Sequence, residues 1–210
     1  GEAEVIICVM AISREIIDAA KKVKFIQVIS VGVEHIDVQY ILDKNILFSN
    51  TPGQFSAPAL GEQAILLMLS LSRKLKSWEG IFNRRGVNEP VGDELYGKRL
   101  GLIGLGNSGK ALARIAGAAG MKIRALDVIE IPKDVVEDLN IESSGTLESL
   151  DELLTESDYV SVHCPLTESS KGMIGKRELG LMKKNARLIN VARGAIVDEE
   201  ALLEALKSGQ

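Results

Sequence analysis

The sequence predicts an α/β protein built on a parallel sheet, on three observations. Short apolar runs alternate with helix-patterned segments, a G-x-G-x-x-G turn joins one such run to a helix, and an aspartate closes the next run. Composition agrees: 46% hydrophobic and 26% charged residues suit a packed globule and exclude wholesale disorder. At ~100–200 residues per domain, 210 residues allow one large domain or two small ones.

Other classes are excluded in turn. No apolar run approaches the ~18–20 residues needed to span a bilayer. The opening Gly1-Glu2-Ala3-Glu4 lacks the basic start of a signal peptide, so a cytoplasmic location without membrane contact is expected. Cys8 and Cys164 stand far apart, which argues against a disulfide framework, a zinc site or any other metal. Twenty-five Lys and Arg against 29 Asp and Glu leave a net charge of −4 and no basic excess to grip nucleic acid. The expected partners are small molecules.

The elements follow in order. Val5–Met10 reads as a buried strand, Ser13 can cap a short helix running to Lys22, and Phe25–Ile29 is the next strand. Ser30-Val31-Gly32-Val33 forms a loop, and Ile46–Asn50 is a third strand closed by Thr51-Pro52-Gly53. Ser56 is placed to cap a long helix with Pro58 in its first turn. Leu60, Ala64, Leu67, Leu71, Leu75 and Trp78 recur along it as one apolar stripe. Asn83–Gly97 reads as an exposed loop. Regular βα alternation then begins: strand Arg99–Leu105, helix Ser108–Ala119 and strand Lys122–Asp127. A polar stretch to Gly145 carries no clear element. Helix Leu147–Leu154, strand Tyr159–Cys164, helix Lys176–Met182, strand Ala186–Ala192 and helix Asp198–Lys207 complete the chain. Acidic residues open that last helix, Lys207 lies in its final turn, and Gly209 stops it.

Gly104-Leu105-Gly106-Asn107-Ser108-Gly109 is the glycine turn. Alone the pattern also fits an ordinary βα turn; the strand before it and the helix after it make it a dinucleotide fingerprint. Gly104 permits the tight turn, Gly106 lets a pyrophosphate approach the backbone, and Gly109 brings helix and strand together. Amides near Asn107 and Ser108 meet the phosphates at the helix start. Asp127 lies about 20 residues on, the spacing of a ribose-binding acid. Its carboxylate repels a 2′-phosphate, and Val128 and Ile129 offer no arginine to neutralise one, so NAD is expected over NADP. The fold expected here is a Rossmann-type doubly wound sheet.

Leu188-Ile189-Asn190-Val191-Ala192-Arg193-Gly194-Ala195-Ile196-Val197-Asp198 is more specific still. With Val162-His163-Cys164-Pro165-Leu166-Thr167, Asn50-Thr51-Pro52-Gly53 and Val31-Gly32-Val33-Glu34-His35-Ile36-Asp37, it resembles the D-isomer-specific 2-hydroxyacid dehydrogenases across nearly the whole chain. The resemblance implies a two-domain α/β subunit that transfers hydride between NAD(H) and a 2-oxoacid or D-2-hydroxyacid. It implies a partial, flavodoxin-like substrate domain over residues 1–51 and an NAD-binding domain over 52–210. Arg193 matches the family's catalytic arginine, whose planar guanidinium holds carboxylate and keto oxygens together. Val31 and Gly32 match the loop whose amides bind the substrate carboxylate. His163, Cys164, Pro165 and Thr167 match the stretch lining the cofactor cleft, and Val191 and Ala192, which lead into the catalytic arginine, are expected to contact the cofactor as well. His163 reads equally as a hydrogen-bonded structural histidine, not as the catalytic acid, and His35 as ordering its own loop. The long helix resembles the family's dimer-forming helix, although a buried core helix would carry the same stripe.

Returning a proton to the keto oxygen needs a general acid, and the family's histidine and its glutamate partner follow the arginine. No histidine follows Arg193 here, and Glu199, Glu200 and Glu204 do not match that glutamate. The chain thus reads as cut at both ends, without its final strand and return to the substrate domain, and is expected to bind NAD without turnover. The alternative is an NAD-sensing module of the dehydrogenase-like corepressor type. A formate dehydrogenase would share the architecture but needs different substrate-loop residues, and nothing in the sequence supports it specifically. Glyoxylate, hydroxypyruvate, pyruvate and phosphohydroxypyruvate all remain open as substrates.

Overall fold

The computed structural model describes residues 1–9 and 11–209. Met10, the end of the first expected strand, lies outside the described residues. The chain divides into two compact units, with the boundary between Phe55 and Ser56, a few residues beyond the expected one at Thr51.

The first unit runs β1 (Val5–Cys8), α1 (Arg14–Ala19), β2 (Phe25–Val28), α2 (Val38–Asp43) and β3 (Leu47–Ser49). Its strands are parallel in the order β1-β2-β3. Ile26 and Val28 of β2 are fully buried with Ile17 of α1 and Ile41 of α2, and Ile6 and Cys8 pack against this core. Asp37 caps α2 by accepting from the Tyr40 N–H at 3.0 Å. The apolar run of β1 reads as a buried strand, and the structure corrects this. Val5 and Ile7 are 52% and 69% exposed. The unit's core lies on the opposite face of β1, and a continuous apolar run does not tell which face of a strand is covered.

The second unit begins with α3 (Ala57–Ser72) and α4 (Trp78–Asn83). After an irregular segment come β4 (Arg99–Ile103), α5 (Asn107–Ala118), β5 (Lys122–Asp127), α6 (Lys133–Asp138) and β6 (Ser143–Thr146). The chain continues through α7 (Leu150–Glu156), β7 (Tyr159–Val162), α8 (Lys176–Leu181), β8 (Arg187–Asn190) and α9 (Glu199–Ser208). All five strands are parallel, in the order β6-β5-β4-β7-β8. This is a Rossmann-type sheet, and its order reverses between β4 and β7, where a crevice opens at the carboxyl ends.

Strand alternation explains the layers. Leu100, Leu102 and Tyr159 face one core with Ala64, Met68 and Leu112. Ile103, Val160 and Val162 face another with Leu153, Leu154 and Leu179. Asp198 caps α9 by accepting from the Glu200 and Ala201 N–H groups at 3.0 Å, and Gly209 closes it at φ 78°. The polar stretch before Gly145 does hold structure, namely α6 and the edge strand β6. The Ser-Ser-Gly-Thr of β6 lacks the apolar signal that marks a strand.

The single long stripe is also corrected. The helix ends at Ser72, Lys74 adopts φ 53°, and Leu75–Ser77 forms a 3₁₀ turn before α4. The buried face of α3 is Ala57, Gly61, Ala64, Met68 and Ser72, while Leu71, Leu75 and Trp78 are about half exposed. Close packing on α5 selects small residues: a Cβ on Gly61 would stand 2.9 Å from the Ala111 Cβ. No helix among the described residues is long and apolar enough to cross a membrane.

Candidate functional site

Gly104 follows β4 at φ 94°, a conformation that favours glycine, and a Cβ there would lie 2.8 Å from the Cys164 nitrogen. A Cβ on Gly109 would lie 2.2 Å from the Gly104 carbonyl oxygen, so the first turn of α5 rests directly on the loop. Gly106 differs: a Cβ there would meet nothing within 4 Å. It stands at the N-cap of α5 beside open space, where the Asn107, Ser108 and Gly109 amides have no intrahelical acceptor. That arrangement accommodates a pyrophosphate.

Asp127 ends β5. Its Oδ2 accepts from the Leu105 N–H and its Oδ1 from the Val128 N–H, each at 2.7 Å. A carboxylate has about four acceptor positions, so capacity for two ribose hydroxyls remains.

His163 follows β7 and is nearly buried. Its Nε2 pairs with Ser161 Oγ at 2.9 Å and its Nδ1 with Ser108 Oγ at 3.1 Å. Burial lowers its pKa to about 4, so the ring is neutral near pH 7. The histidine therefore links the sheet interior to the first turn of α5. Burial pushes the Cys164 thiol up, away from thiolate chemistry. Beyond it, Ser170 Oγ accepts from the Thr167 N–H at 2.8 Å and donates to the Pro165 carbonyl at 2.8 Å, which fixes the loop.

A cavity of about 430 Å³ joins these parts. Gly104, Gly106, Asp127, His163, Cys164, Pro165 and Thr167 line it, as do Val128, Leu147, Ser170 and Met173, which sequence reasoning missed. Val128 could have been found as the neighbour of Asp127, and Ser170 as one of the hydroxyls just beyond the Pro-Leu-Thr turn. Leu147 and Met173 carry no local signal. Asn107, Ser108, Gly109, Val191, Ala192 and Arg193 do not line this cavity.

Arg193 stands just past β8. Asn190 Nδ2 donates to the Arg193 carbonyl at 2.8 Å, and Asn190 Oδ1 accepts from the Ala192 N–H at 3.0 Å. The Arg193 Nη1 donates to the Ala192 carbonyl at 3.0 Å. Asn190, another residue missed in the sequence, clamps the turn that carries the arginine. Val191 packs against one core and Ala192 against the other.

Val31 and Gly32 belong to the first unit. The Gly32 carbonyl accepts from Ser30 Oγ at 2.8 Å and the Val31 carbonyl from Asn50 Nδ2 at 2.7 Å. Among the described residues no acceptor takes the Val31 or Gly32 N–H.

Residues 65–210 match the family model described as D-isomer specific 2-hydroxyacid dehydrogenase, NAD binding domain. The chain is 38% identical over 201 residues to a D-3-phosphoglycerate dehydrogenase of Methanocaldococcus jannaschii, covering 95% of this chain and 37% of that protein. It is 40% identical over 204 residues to a hydroxypyruvate reductase of Thermotoga maritima, covering 95% and 63%. A solved D-lactate dehydrogenase from Aquifex aeolicus, complexed with NAD and lactic acid, matches with a TM-score of 0.84 at 34% identity. That match covers 99% of this chain and 62% of the other. The chain spans less than two thirds of the length of each of these relatives.

Proposed function

The chain belongs to the D-isomer specific 2-hydroxyacid dehydrogenase family, and from that premise we propose that its protein transfers hydride between NAD(H) and a 2-oxoacid or D-2-hydroxyacid. NAD is the cofactor of its Rossmann-type domain. When bound, the nicotinamide supplies or accepts the hydride.

The chain's own residues divide the remaining work. In this reading the amides at the start of α5 bind the pyrophosphate, with Gly106 leaving it room. Asp127 accepts from the ribose hydroxyls and disfavours a 2′-phosphate. His163 holds Ser108 in place as a neutral ring, and Cys164, Pro165 and Thr167 wall the cavity beside it. Val191 and Ala192 deliver Arg193, whose guanidinium orients the substrate's carboxylate and stabilises the developing alkoxide. The first unit's part is to bind a carboxylate through the Val31 and Gly32 amides. The open space at Gly106 beside the Asp127 carboxylate carries the reading.

No histidine follows Arg193 within the 210 residues, and His163 is neutral and held between two serines. The polypeptide itself is therefore assigned NAD binding without appreciable turnover. The exposed Leu66, Leu69, Leu71, Trp78 and Phe82 of α3 and α4 support a homodimer. Two unpaired cysteines suit the reducing cytoplasm. A fluorescence titration with NADH and NADPH, followed by assays with glyoxylate, hydroxypyruvate, pyruvate and phosphohydroxypyruvate, tests the reading. Tight NADH binding, weak NADPH binding and negligible turnover are expected. Failure to bind NADH overturns the cofactor reading, and a robust 2-oxoacid rate overturns the assignment of inactivity. Sedimentation equilibrium tests the dimer.

A further inference from the structure

A second cavity, of about 630 Å³, lies at the amino ends of β4, β7 and β8, the end of the sheet opposite the glycine loop. Its walls come from Lys74 beyond α3, the segment before β4 and the turns entering β7 and β8. One wall is held firmly: the Asp93 N–H donates to the Ser72 carbonyl at 2.9 Å, and a Cβ on Gly92 would stand 2.6 Å from that same oxygen.

Both carboxylates of the cavity are already engaged. Asp93 pairs with Arg187, whose guanidinium also lies 5.2 Å from the centroid of the Tyr159 ring. Asp158 pairs with Lys183 at 2.9 Å and accepts from the Arg99 N–H at 2.8 Å. Lys74, Lys98 and Lys184 line the same cavity and make no ion pair among the described residues. Three ammonium groups thus share one concave surface whose acids are already neutralised.

Helix ends absorb only part of this charge. The carboxyl ends of α3, α7 and α8 lie at this rim, each equivalent to about half a negative charge at most. Two of those helices have only six and seven residues. The cations left over favour an anion, and their type selects among anions. The guanidinium that could grip a planar carboxylate in bidentate fashion is occupied by Asp93, while free lysines act as point charges suited to phosphoryl oxygens.

We propose that this cavity binds a small molecule carrying two or more phosphoryl groups, at a site separate from the cofactor cavity. The test is calorimetric titration of inorganic pyrophosphate into the 210-residue protein at low ionic strength, with one equivalent of NADH present to occupy the glycine loop and leave the second cavity open. Saturable binding is expected, weakening at least tenfold in the triple variant Lys74→Ala/Lys98→Ala/Lys184→Ala and falling as salt is raised. Circular dichroism and NADH titration of the variant check that its fold is unchanged. Citrate, with three carboxylates and no phosphate, is expected to bind at least tenfold more weakly. Absence of saturable binding, undiminished binding by the folded triple variant, or citrate binding as tight as pyrophosphate would each overturn the proposal.

Discussion

The carboxylate of Asp127 accepts a hydrogen bond from the Leu105 N–H at 2.7 Å, so the acid that ends β5 also tethers the middle of the glycine loop. Two chain segments that a nucleotide would touch are joined before any ligand arrives. On the proposed reading, loop geometry and ribose recognition depend on one side chain, and a substitution there acts on both.

Asp127→Asn retains an acceptor for Leu105 but removes the charge, whereas Asp127→Ala removes both. Hydrogen bonds to charged groups contribute about 1.5–3 kcal/mol. NADH affinity is therefore expected to fall about tenfold in the asparagine variant and further in the alanine variant. The preference for NADH over NADPH should narrow in both, because the repulsion of a 2′-phosphate is gone. Fluorescence titration with the two nucleotides measures this; wild-type NADH affinity in Asp127→Asn would remove the acid from ribose recognition.

His163 makes stability sensitive to acid. Its pKa is about 4 in the fold against an ordinary 6.5, because burial penalises the imidazolium. Between those values the unfolded chain holds a proton that the folded one lacks, so stability rises with pH. The contribution is complete above pH 6.5 and is lost as pH falls toward 4, by about 3 kcal/mol. The carboxylates of Asp37, Asp93 and Asp151, all held below their ordinary values by arginine partners, lose their share only at lower pH. Urea melts at pH 7 and pH 4.5 are expected to show a steep loss in the wild type and a shallower one in His163→Asn. Equal losses would assign the acid sensitivity elsewhere.

The β4–α5–β5 segment was legible because its constraints are local. A positive φ at Gly104 and the contact of Gly109 with the Gly104 carbonyl demand glycine, and strands buried on both faces read as apolar runs. The packing face of α3 was not legible, because it is decided by α5. Leucines are the usual core markers, yet Leu66 and Leu71 are about half exposed while Gly61 and Ala64 are buried. The cavity shows the same division. Asp127 and the stretch from His163 to Thr167 lie in recognisable motifs, whereas Leu147 and Met173 reach the site only through topology.

Gly61 tests that account of α3. Glycine costs a helix interior about 1 kcal/mol relative to alanine, so substitution on an open face would stabilise. Here the added Cβ would stand 2.9 Å from the Ala111 Cβ and 3.0 Å from the Leu112 nitrogen, and backbone cannot swing aside. Gly61→Val adds further bulk at the same point and is expected to lower stability by about 1–3 kcal/mol. Urea denaturation measures it, and a variant as stable as the wild type would show that the two helices separate without cost.

Asn190 offers the corresponding test for the turn at Arg193. Its side-chain amide donates to the Arg193 carbonyl at 2.8 Å and accepts from the Ala192 N–H at 3.0 Å. Asn190→Ala removes both bonds from a partly buried turn and is expected to cost about 1–3 kcal/mol in a urea melt. Asn190→Asp keeps the acceptor for Ala192 but places a carboxylate oxygen against the Arg193 carbonyl, so it should lose stability as well. At low pH the introduced carboxyl group is protonated and regains a donor, and the deficit of that variant relative to wild type should shrink. The alanine variant has no such recovery open to it. A deficit in Asn190→Asp that stays constant with pH would mean that the bond to the Arg193 carbonyl contributes nothing to holding the turn.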